Sequence, residues 1–341
     1  MTVAHRTKST AGAGRAEAAL RVLLPTTASM TVIGSYDSVV DVKVAGRRLR
    51  VVWAGEGWRR DVGPVIAKHD GRIDVVAARR MSPGGRVALK DAGIGWVDEL
   101  GNADVAIGSL LISRTGMAEH NEPPTAKWTP AVVAVTEALL LGTSATVSAI
   151  QGATGLSTGS CTNALRTLTE LGYLESDAKR GRGSARNLSN VDALLDAYTN
   201  AAPRLTPGLK VSVGATWRDT IEGVRTVGKK WDEVGIEWAV TGTVAGALTA
   251  PLLTNVSSAV VYVEANTVAA LNAAATSIGL KPLAGGRLTL RPFPTITTSK
   301  LSEIIEDVKV APWPRVYVDL RTTGVRGEEA ADHLREVKRG R

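Results

Sequence analysis

The chain has 341 residues, which is enough for two or three domains that each bury a core of their own. No apolar run reaches the ~18 residues needed to cross a bilayer, so an integral membrane protein is not expected. The single cysteine, Cys161, excludes an internal disulfide and a multi-cysteine zinc site. The net charge of +8 arises from 41 cations and 33 anions, and it favours an anionic partner only weakly.

The N-terminal stretch MTVAHRTKSTAGAGR has positive charge but no compact apolar segment, which argues against a signal peptide. The histidines lack the spacing of metal ligands: His5, His69, His120 and His333. We expect a cytoplasmic, nucleoid-associated protein that needs no cofactor or metal and has no membrane partner.

Two proline-containing stretches, Ala118–Trp128 and Ala201–Gly208, divide the sequence. They predict three domains, at residues 1–120, 127–201 and 206–341. The expected fold class is multidomain α/β and α+β, with a restriction-endonuclease-like domain, a winged helix-turn-helix and a nucleotidyltransferase-like domain.

The first segment alternates helix and strand patterns in the order of a small restriction-endonuclease-like core. A helix is expected at Ala16–Leu24, and strands follow in TVIGSYDSVVDVKVAGRRLRVVWAG and IDVVAARR. SPGGRVALKDAGI then predicts a helix, and GWVDELGNADVAI predicts a strand and a turn.

Nucleases of this fold hold Mg²⁺ with an Asp on one strand and a Glu-x-Lys pair on the next. Asp37 or Asp41 could supply the first acid, but Val51 and Trp53 occupy the positions of the Glu and the Lys. Glu56 lies beyond the strand and is a poor substitute. We therefore predict that this domain does not cleave nucleic acid.

The middle segment predicts three helices. Thr129 should cap the first, with Pro130 at its first position, and the second should end near Gly155. Ser157 should cap the third, and Gly172 should take the left-handed position after it. Two short helices joined by a glycine-containing turn are the helix-turn-helix pattern. The residues expected to face inward are Val132, Val135, Leu139, Val147, Ile150, Cys161, Leu165, Leu168 and Leu171.

The outward face of the third helix is expected to contact base edges. It carries small or hydrogen-bonding side chains: Thr158, Gly159, Ser160, Thr162, Asn163 and Arg166. In a major groove Asn pairs with adenine and Arg with guanine. An ordinary solvated helix face is the alternative, but such faces usually carry several Glu and Lys, and this one has none before Arg166.

The stretch KRGRGSAR, Lys179–Arg186, holds four cations and two glycines. A solvated linker, a phosphate-binding loop, an RNA-binding arm and a DNA-binding wing are the possible readings. Leu174 before it and Leu188 after it indicate paired flanking strands, which favours the wing. The wing residues expected to reach phosphates or the minor groove are Lys179, Arg180, Arg182, Ser184 and Arg186.

The third segment looks like a nucleotidyltransferase core in EWAVTG, TVAGALTAPLL and SSAVVYVEA. Gly242 and Thr243 match the turn of that fold, but Ala259–Val263 offers no carboxylate before Glu264, where Asp-x-Asp belongs. Asp319, on the expected strand RVYVDL, could mimic a third acid. Two unrelated surface acids are the simpler reading of Glu264 and Asp319, so nucleotide transfer is not expected.

Three stretches in this order resemble the AbiEi family: VVAARRMSPGGRVALKDAGIGWVDELGNADV, the helix-turn-helix segment, and WAVTGTVAGALTAPLL…VVYVE…YVDL. Its members are antitoxins of type IV toxin–antitoxin systems and related transcriptional regulators. The resemblance implies a bacterial DNA-binding regulator, often one that represses its own promoter beside a nucleotidyltransferase toxin gene. The chain departs from the simplest antitoxins in its additional N-terminal domain, and a stand-alone promoter regulator is the alternative.

We expect a catalytically silent regulator that binds double-stranded operator DNA as a homodimer. One alternative is an antitoxin that acts by contact with a nucleotidyltransferase toxin. Another is a divergent nuclease or nucleotidyltransferase that uses DNA binding for targeting. A bound Mg²⁺ or nucleotide among Asp41, Glu56, Glu264 and Asp319 would favour the enzyme.

Overall fold

The structure is a computed structural model, and it describes residues 11–25, 28–44, 46–69, 71–107, 110–116, 128–176, 186–252 and 256–339. These residues form thirteen helices and fifteen strands, so the protein is of mixed α/β class. The chain divides into two compact units, Met1–Asn121 and Glu122–Arg341. No helix within the described ranges is long and apolar enough to cross a membrane.

The first unit is a seven-stranded sheet with helices on both faces. Its elements are α1 (Ala11–Leu23), β1 (Met30–Tyr36), β2 (Val39–Val44), β3 (Arg47–Trp53), α2 (Arg59–His69), β4 (Val75–Ala78), α3 (Pro83–Asp91), β5 (Gly95–Asp98), β6 (Ala103–Ile107) and β7 (Leu110–Arg114). The strands lie in sequence order, with β3, β4 and β5 parallel and the other neighbours antiparallel.

Alternation of side chains along the strands explains why this sheet has helices on both sides. In β2, Val40 and Val42 pack in the cluster that includes α1, whereas Val39 packs with α2 and α3 on the opposite face. The helices and strands predicted for this segment are confirmed. The helix α2 was not predicted, because Gly63 and Pro64 both disfavour a helix interior.

The second unit begins with helices and a hairpin and continues into a larger sheet. Its elements are α4 (Pro130–Leu140), α5 (Val147–Thr154), α6 (Thr158–Glu170), β8 (Leu174–Ser176), β9 (Arg186–Leu188), α7 (Val191–Leu205), β10 (Val211–Val213), α8 (Thr220–Glu233), β11 (Trp238–Thr241), α9 (Gly242–Thr249), β12 (Ala259–Val263), α10 (Val268–Thr276), β13 (Leu288–Pro292), α11 (Ile296–Lys300), β14 (Glu303–Ile305), β15 (Val308–Val310), α12 (Trp313–Arg321) and α13 (Val325–Arg339).

Six strands of this unit form a mixed sheet in the order β10-β13-β12-β11-β15-β14, and β8 pairs with β9 separately. One hydrophobic core runs from α4 and α6 through α7 to the six-stranded sheet and α12. Residues 127–201 and 206–341, predicted as separate domains, therefore share a core. The helix α7 continues past the predicted break at Ala201, because Ala202 is buried and Pro203 lies in the last turn.

The stretch RVYVDL, predicted as a strand, is helical, and this prediction was wrong. It lies in α12, whose nine residues are all buried. The run Val316–Val318 has high strand propensity, and a helix buried on all sides shows no amphipathic period that would reveal it. Pro314 fits the first turn of a helix, where its missing N–H costs nothing. Asp319 therefore lies on a helix beneath the sheet and not on a strand.

A buried polar network centred on Asp319 holds α12 to the sheet. Arg315 donates from Nη2 to Asp319 Oδ1 at 2.8 Å, and both residues are at most 5% exposed. Thr241 at the end of β11 donates to Asp319 Oδ2 at 2.6 Å, and the hydroxyl of Tyr262 in β12 donates to the same oxygen. Arg315 also reaches Thr206 Oγ1, beyond α7, at 2.9 Å. Burial is the largest single effect and lowers the pKa of the Arg315 guanidinium, but Asp319, Tyr262 and Tyr198 together outweigh it and raise the pKa.

The Arg315–Asp319 pair should be far more important for stability than an exposed pair of the same type. We expect Arg315→Met to lower the free energy of unfolding by about 3–5 kcal/mol, because it leaves the buried carboxylate of Asp319 with only the more distant Arg291, at 4.0 Å, as a counter-ion. Arg339→Met is the matched control, since Arg339 is 54% exposed and pairs with Asp192, and it should cost less than about 1 kcal/mol. Urea unfolding of the full chain measures both, and equal costs would contradict the prediction.

Candidate nucleic-acid interface

The helices α4, α5 and α6 begin at side-chain caps that the sequence predicts or allows. Thr129 Oγ1 accepts from the backbone of Val132 at 3.3 Å, which confirms the first predicted cap. Ser157 Oγ accepts from the backbone of Ser160 at 3.2 Å, which confirms the cap of α6. Thr146 caps α5 in the same way. Each cap satisfies a backbone N–H that the helix cannot pair, and so fixes where the helix starts.

Glycines end α5 and α6, as the sequence predicts. Gly155 follows α5 with a φ of 70°, and Gly172 follows α6 with a φ of 78°. Both values lie in the left-handed region that glycine adopts without steric cost. The predicted inward faces are also confirmed, except that Val147 and Leu171 are only half-buried. The chain therefore turns sharply between α5 and α6 while both helices keep their apolar sides in one core.

The outward face of α6 is polar and open to solvent. Thr158, Gly159, Thr162, Asn163 and Arg166 are exposed, and Ser160 is half-buried beneath its cap. The Nη2 of Arg166 donates to Asn163 Oδ1 at 3.1 Å, so these two side chains lie together on one face. Glu170 approaches Arg166 at 3.9 Å, and both members of this pair are more than half exposed. Exposed pairs of this kind contribute little, so Arg166 is free to exchange partners.

Gln151 on α5 extends this face, although the sequence pattern did not indicate it. Its Oε1 accepts from Thr158 Oγ1 at 3.2 Å, and both side chains are exposed. The sequence signal was present, since Gln151 is the one long polar residue of a helix that otherwise holds small and apolar residues. The interface candidate therefore spans the end of α5 and the first half of α6.

A hairpin follows α6 directly. Leu174 pairs with Leu188 and Ser176 with Arg186 across β8 and β9, which confirms the predicted flanking strands. Leu174 is buried, whereas Arg186 is half-buried at the start of β9. Four predicted wing residues lie outside the described residues: Lys179, Arg180, Arg182 and Ser184.

The acids considered for metal binding in the first unit have other partners. Asp41 lies within β2 and accepts from Arg50 Nε and Nη2 at 2.8 and 3.0 Å. This bidentate hydrogen bond holds the pKa of Asp41 below its usual range. Glu56 lies 3.6 Å from Arg79, and Asp37 occupies the turn after β1 with a φ of 50°. These carboxylates do not converge on one site.

In the second unit Glu264 follows β12 at the surface, whereas Asp319 is engaged in the buried network of α12. The strand Ala259–Val263 presents no carboxylate, as the sequence shows. Within the described ranges, no group of three or more His, Cys, Asp or Glu side chains is arranged to hold a metal ion.

A buried carboxyl fixes α4 beneath the candidate interface. Glu137 is fully buried, and its two oxygens accept from Tyr198 on α7 at 2.6 Å and from Thr298 on α11 at 3.2 Å. Burial raises the pKa of Glu137 to about 6, and the hydrogen bonds and the charge of Arg315 oppose this rise. Since Glu137 joins three helices, it sets the position of α4 relative to the large sheet.

Comparisons with protein-family models, with curated proteins and with solved structures find no match to this chain. The described residues offer an exposed polar face on α6 and a hairpin that flanks the basic stretch, and Asp41 and Asp319 are engaged in ion pairs.

The pKa of Glu137 predicts a specific dependence of stability on pH. Below pH 4.5 the carboxyl is protonated in both states, and between 4.5 and about 6 the unfolded chain ionises first, so stability falls as the pH rises. The loss should total about 2 kcal/mol at neutral pH, because one pKa unit corresponds to about 1.4 kcal/mol. Glu137→Gln should lack this component.

The measurement is the free energy of unfolding of wild type minus that of Glu137→Gln, from about pH 4 to about pH 7. Tyr198→Phe is the control, because it removes the hydrogen bond to Glu137 and keeps the carboxyl, and it should retain the pH dependence. A constant difference between wild type and Glu137→Gln would show that the raised pKa is wrong.

Proposed function

We propose that this protein is a sequence-specific regulator of transcription that binds double-stranded DNA. In this proposal α4, α5, α6, β8 and β9 form a winged helix-turn-helix, and α6 enters the major groove. The observation that carries the proposal is the exposed face of α6, which offers Asn163 and Arg166 side by side without an acid before Glu170.

The side chains of this face suit base recognition. The Asn amide and the Arg guanidinium both form paired hydrogen bonds to purine edges, and the threonine methyl groups can contact thymine. Their present partners are one another and the exposed Glu170, so DNA binding would break only weak surface contacts. The small residues Gly159 and Ser160 allow the start of α6 to approach the groove closely.

The basic stretch between β8 and β9 supports the same proposal. In the sequence Lys179, Arg180 and Arg182 come shortly after β8, and Arg186 begins β9. Cations next to a recognition helix bind phosphates and fix the register of the protein on the duplex. The wing then supplies affinity, and α6 supplies sequence preference.

We propose that the flanking parts act without catalysis, as degenerate restriction-endonuclease-like and nucleotidyltransferase-like domains. The ion pairs of Asp41 and Asp319 support this, because both carboxylates already neutralise an arginine. The resemblance to the AbiEi family adds a nucleotidyltransferase toxin as a candidate partner. Since one winged helix covers little DNA, two protomers on a repeated operator would provide the needed specificity.

The direct test is selection of genomic DNA fragments by the purified full chain, followed by footprinting and titration of the selected sequences. We expect a repeated site protected by two protomers. The purified chain should neither cleave nucleic acid nor transfer nucleotides. Either activity, if it depends on metal and is abolished by Asp41→Ala or Glu264→Ala, would overturn the proposal that the flanking parts act without catalysis. Failure to prefer any sequence would overturn the proposed function itself.

Substitution on α6 should remove sequence preference while weak non-specific binding remains. We expect Asn163→Ala or Arg166→Ala to cost about 1–3 kcal/mol at the selected site, because each would remove a paired contact to a base. Lys230→Ala, an exposed cation on α8, is the control for loss of charge and should change little. Fluorescence anisotropy measures the affinity of each variant for the selected duplex and for a scrambled duplex, and the ratio of the two affinities gives the sequence preference. An unchanged ratio in both α6 variants would argue against major-groove contact by this helix.

Substitution in the wing should instead weaken binding to every duplex. We expect Arg180→Ala with Arg182→Ala to flatten the slope of log affinity against log salt by about two, since each phosphate contact contributes about 0.9. Lys229→Ala with Lys230→Ala removes the same charge from α8 and should leave the slope nearly unchanged. If the wing pair erases the preference for the selected site, the wing reads a minor groove.

A further inference from the structure

A cavity of about 810 Å³ lies in the second unit, at the edge of the sheet where β12 and β13 end. Its lining includes residues of α11, the residues that follow β12, and Lys309 of β15. Its volume falls within the range of small-molecule sites. None of the features used for DNA recognition occupies it.

One charged pair in the cavity is already complete. Glu237 binds Lys309 and also accepts from Ser299 Oγ at 2.8 Å. The hydrogen bond from Lys309 lowers the pKa of Glu237, with a further contribution from Ser299. The charges of Glu237 and Lys309 therefore cancel, and this ion pair offers no net charge to a ligand.

Two other charged side chains of the cavity have no such partner. Glu264 follows β12 and Lys300 ends α11, and both are exposed. Among the residues that the structure describes, neither side chain has a hydrogen bond or an ion pair. The cavity thus presents one open carboxylate and one open ammonium. A ligand that carries both charges would complement both, whereas a simple anion or cation would complement only one.

The rest of the lining is mostly apolar, with Asn266 and Ser302 as further polar residues. Val263 and Phe293 line the cavity, and Ile296 at the start of α11 is 78% exposed on its rim. A large exposed aliphatic side chain beside open charges favours a ligand with an apolar group that would cover it.

Lys300 connects the cavity to the turn before α6. A β-carbon placed on Gly155 would lie 2.1 Å from Lys300 Nζ, so the ammonium is packed directly against this turn. Gly155 ends α5, where the unpaired carbonyl groups favour a cation. Lys300 therefore both lines the cavity and packs the end of its side chain against the turn between α5 and α6.

We propose that this cavity binds a free amino acid with an apolar side chain, and that the ligand weakens DNA binding through Lys300. Glu264 binds the ligand ammonium, Lys300 binds its carboxylate, and Phe293 and Ile296 cover its side chain. A ligand carboxylate draws Lys300 away from the end of α5, which loosens the turn that positions α6. The regulatory part of this proposal rests on the proposed function, but ligand binding does not.

Ligand binding is tested by calorimetry with the full chain in the absence of DNA. The probes are L-leucine and L-phenylalanine, and the matched compounds are isopentylamine and 4-methylpentanoic acid, which each lack one charge of leucine. We expect at least one of the two amino acids to bind, and Glu264→Gln or Lys300→Gln to reduce its affinity about ten-fold or more. The single-charge compounds should bind at least as weakly as the variants.

Glu303→Gln and Lys230→Gln are the controls, because both residues are exposed and neither lines the cavity. Absence of binding by both amino acids would overturn the proposal. Binding that Glu264→Gln and Lys300→Gln leave unchanged would also overturn it.

The regulatory part is tested with the selected duplex. The amino acid should lower DNA affinity about five-fold or more, and the duplex should lower amino-acid affinity by the same factor, because coupling between two sites is reciprocal. Lys300→Gln should abolish the coupling. Ligand binding without coupling would overturn the route through Lys300. If no duplex is preferred, the proposed function fails while the calorimetric result still decides the ligand site.

Discussion

The buried ion pair between Arg315 and Asp319 is the contact on which the second unit depends. Neither charge tolerates the interior alone, so each requires the other together with every hydrogen bond that the surrounding elements supply. Those hydrogen bonds come from β11, from β12 and from the residue after α7. A single helix, α12, thereby determines how the six-stranded sheet and the preceding helices fit together. Directional polar contacts add specificity here that the apolar core alone would not provide.

Glu137 is a second buried carboxyl group that joins helices through hydrogen bonds. It joins α4 to α7 and α11, and Arg315 lies close enough to influence its charge. Because α4 and α6 share one core, the exposed face of α6 rests on a rigid base. The capped start and the glycine-terminated end fix the length of α6 as well. The proposed role of α6 in DNA recognition would need such fixation, since contacts to base edges require positions defined to a fraction of an ångström.

Two acids of this protein are engaged in ion pairs that hold structural elements together. Asp41 neutralises Arg50 within the first sheet, and Asp319 neutralises Arg315 in the second unit. Glu264 is different, because it remains at the surface beside a cavity. Its carboxylate is therefore available to the ligand that we propose for the cavity. Lys300, which also lines the cavity, touches the turn at Gly155 between α5 and α6.

The sequence by itself determined the local features of this protein. Caps at Thr129 and Ser157 and the helix-ending glycines Gly155 and Gly172 depend on neighbouring residues, and all were predicted. Only the tertiary structure decided the rest. The strand-like run in α12 became a helix because complete burial overrides local propensity. The partners of Glu137 and Asp319 lie up to 161 residues away along the chain, and no local pattern encodes such a distance. The approach of Lys300 to Gly155 likewise arises from packing between elements that are remote in sequence.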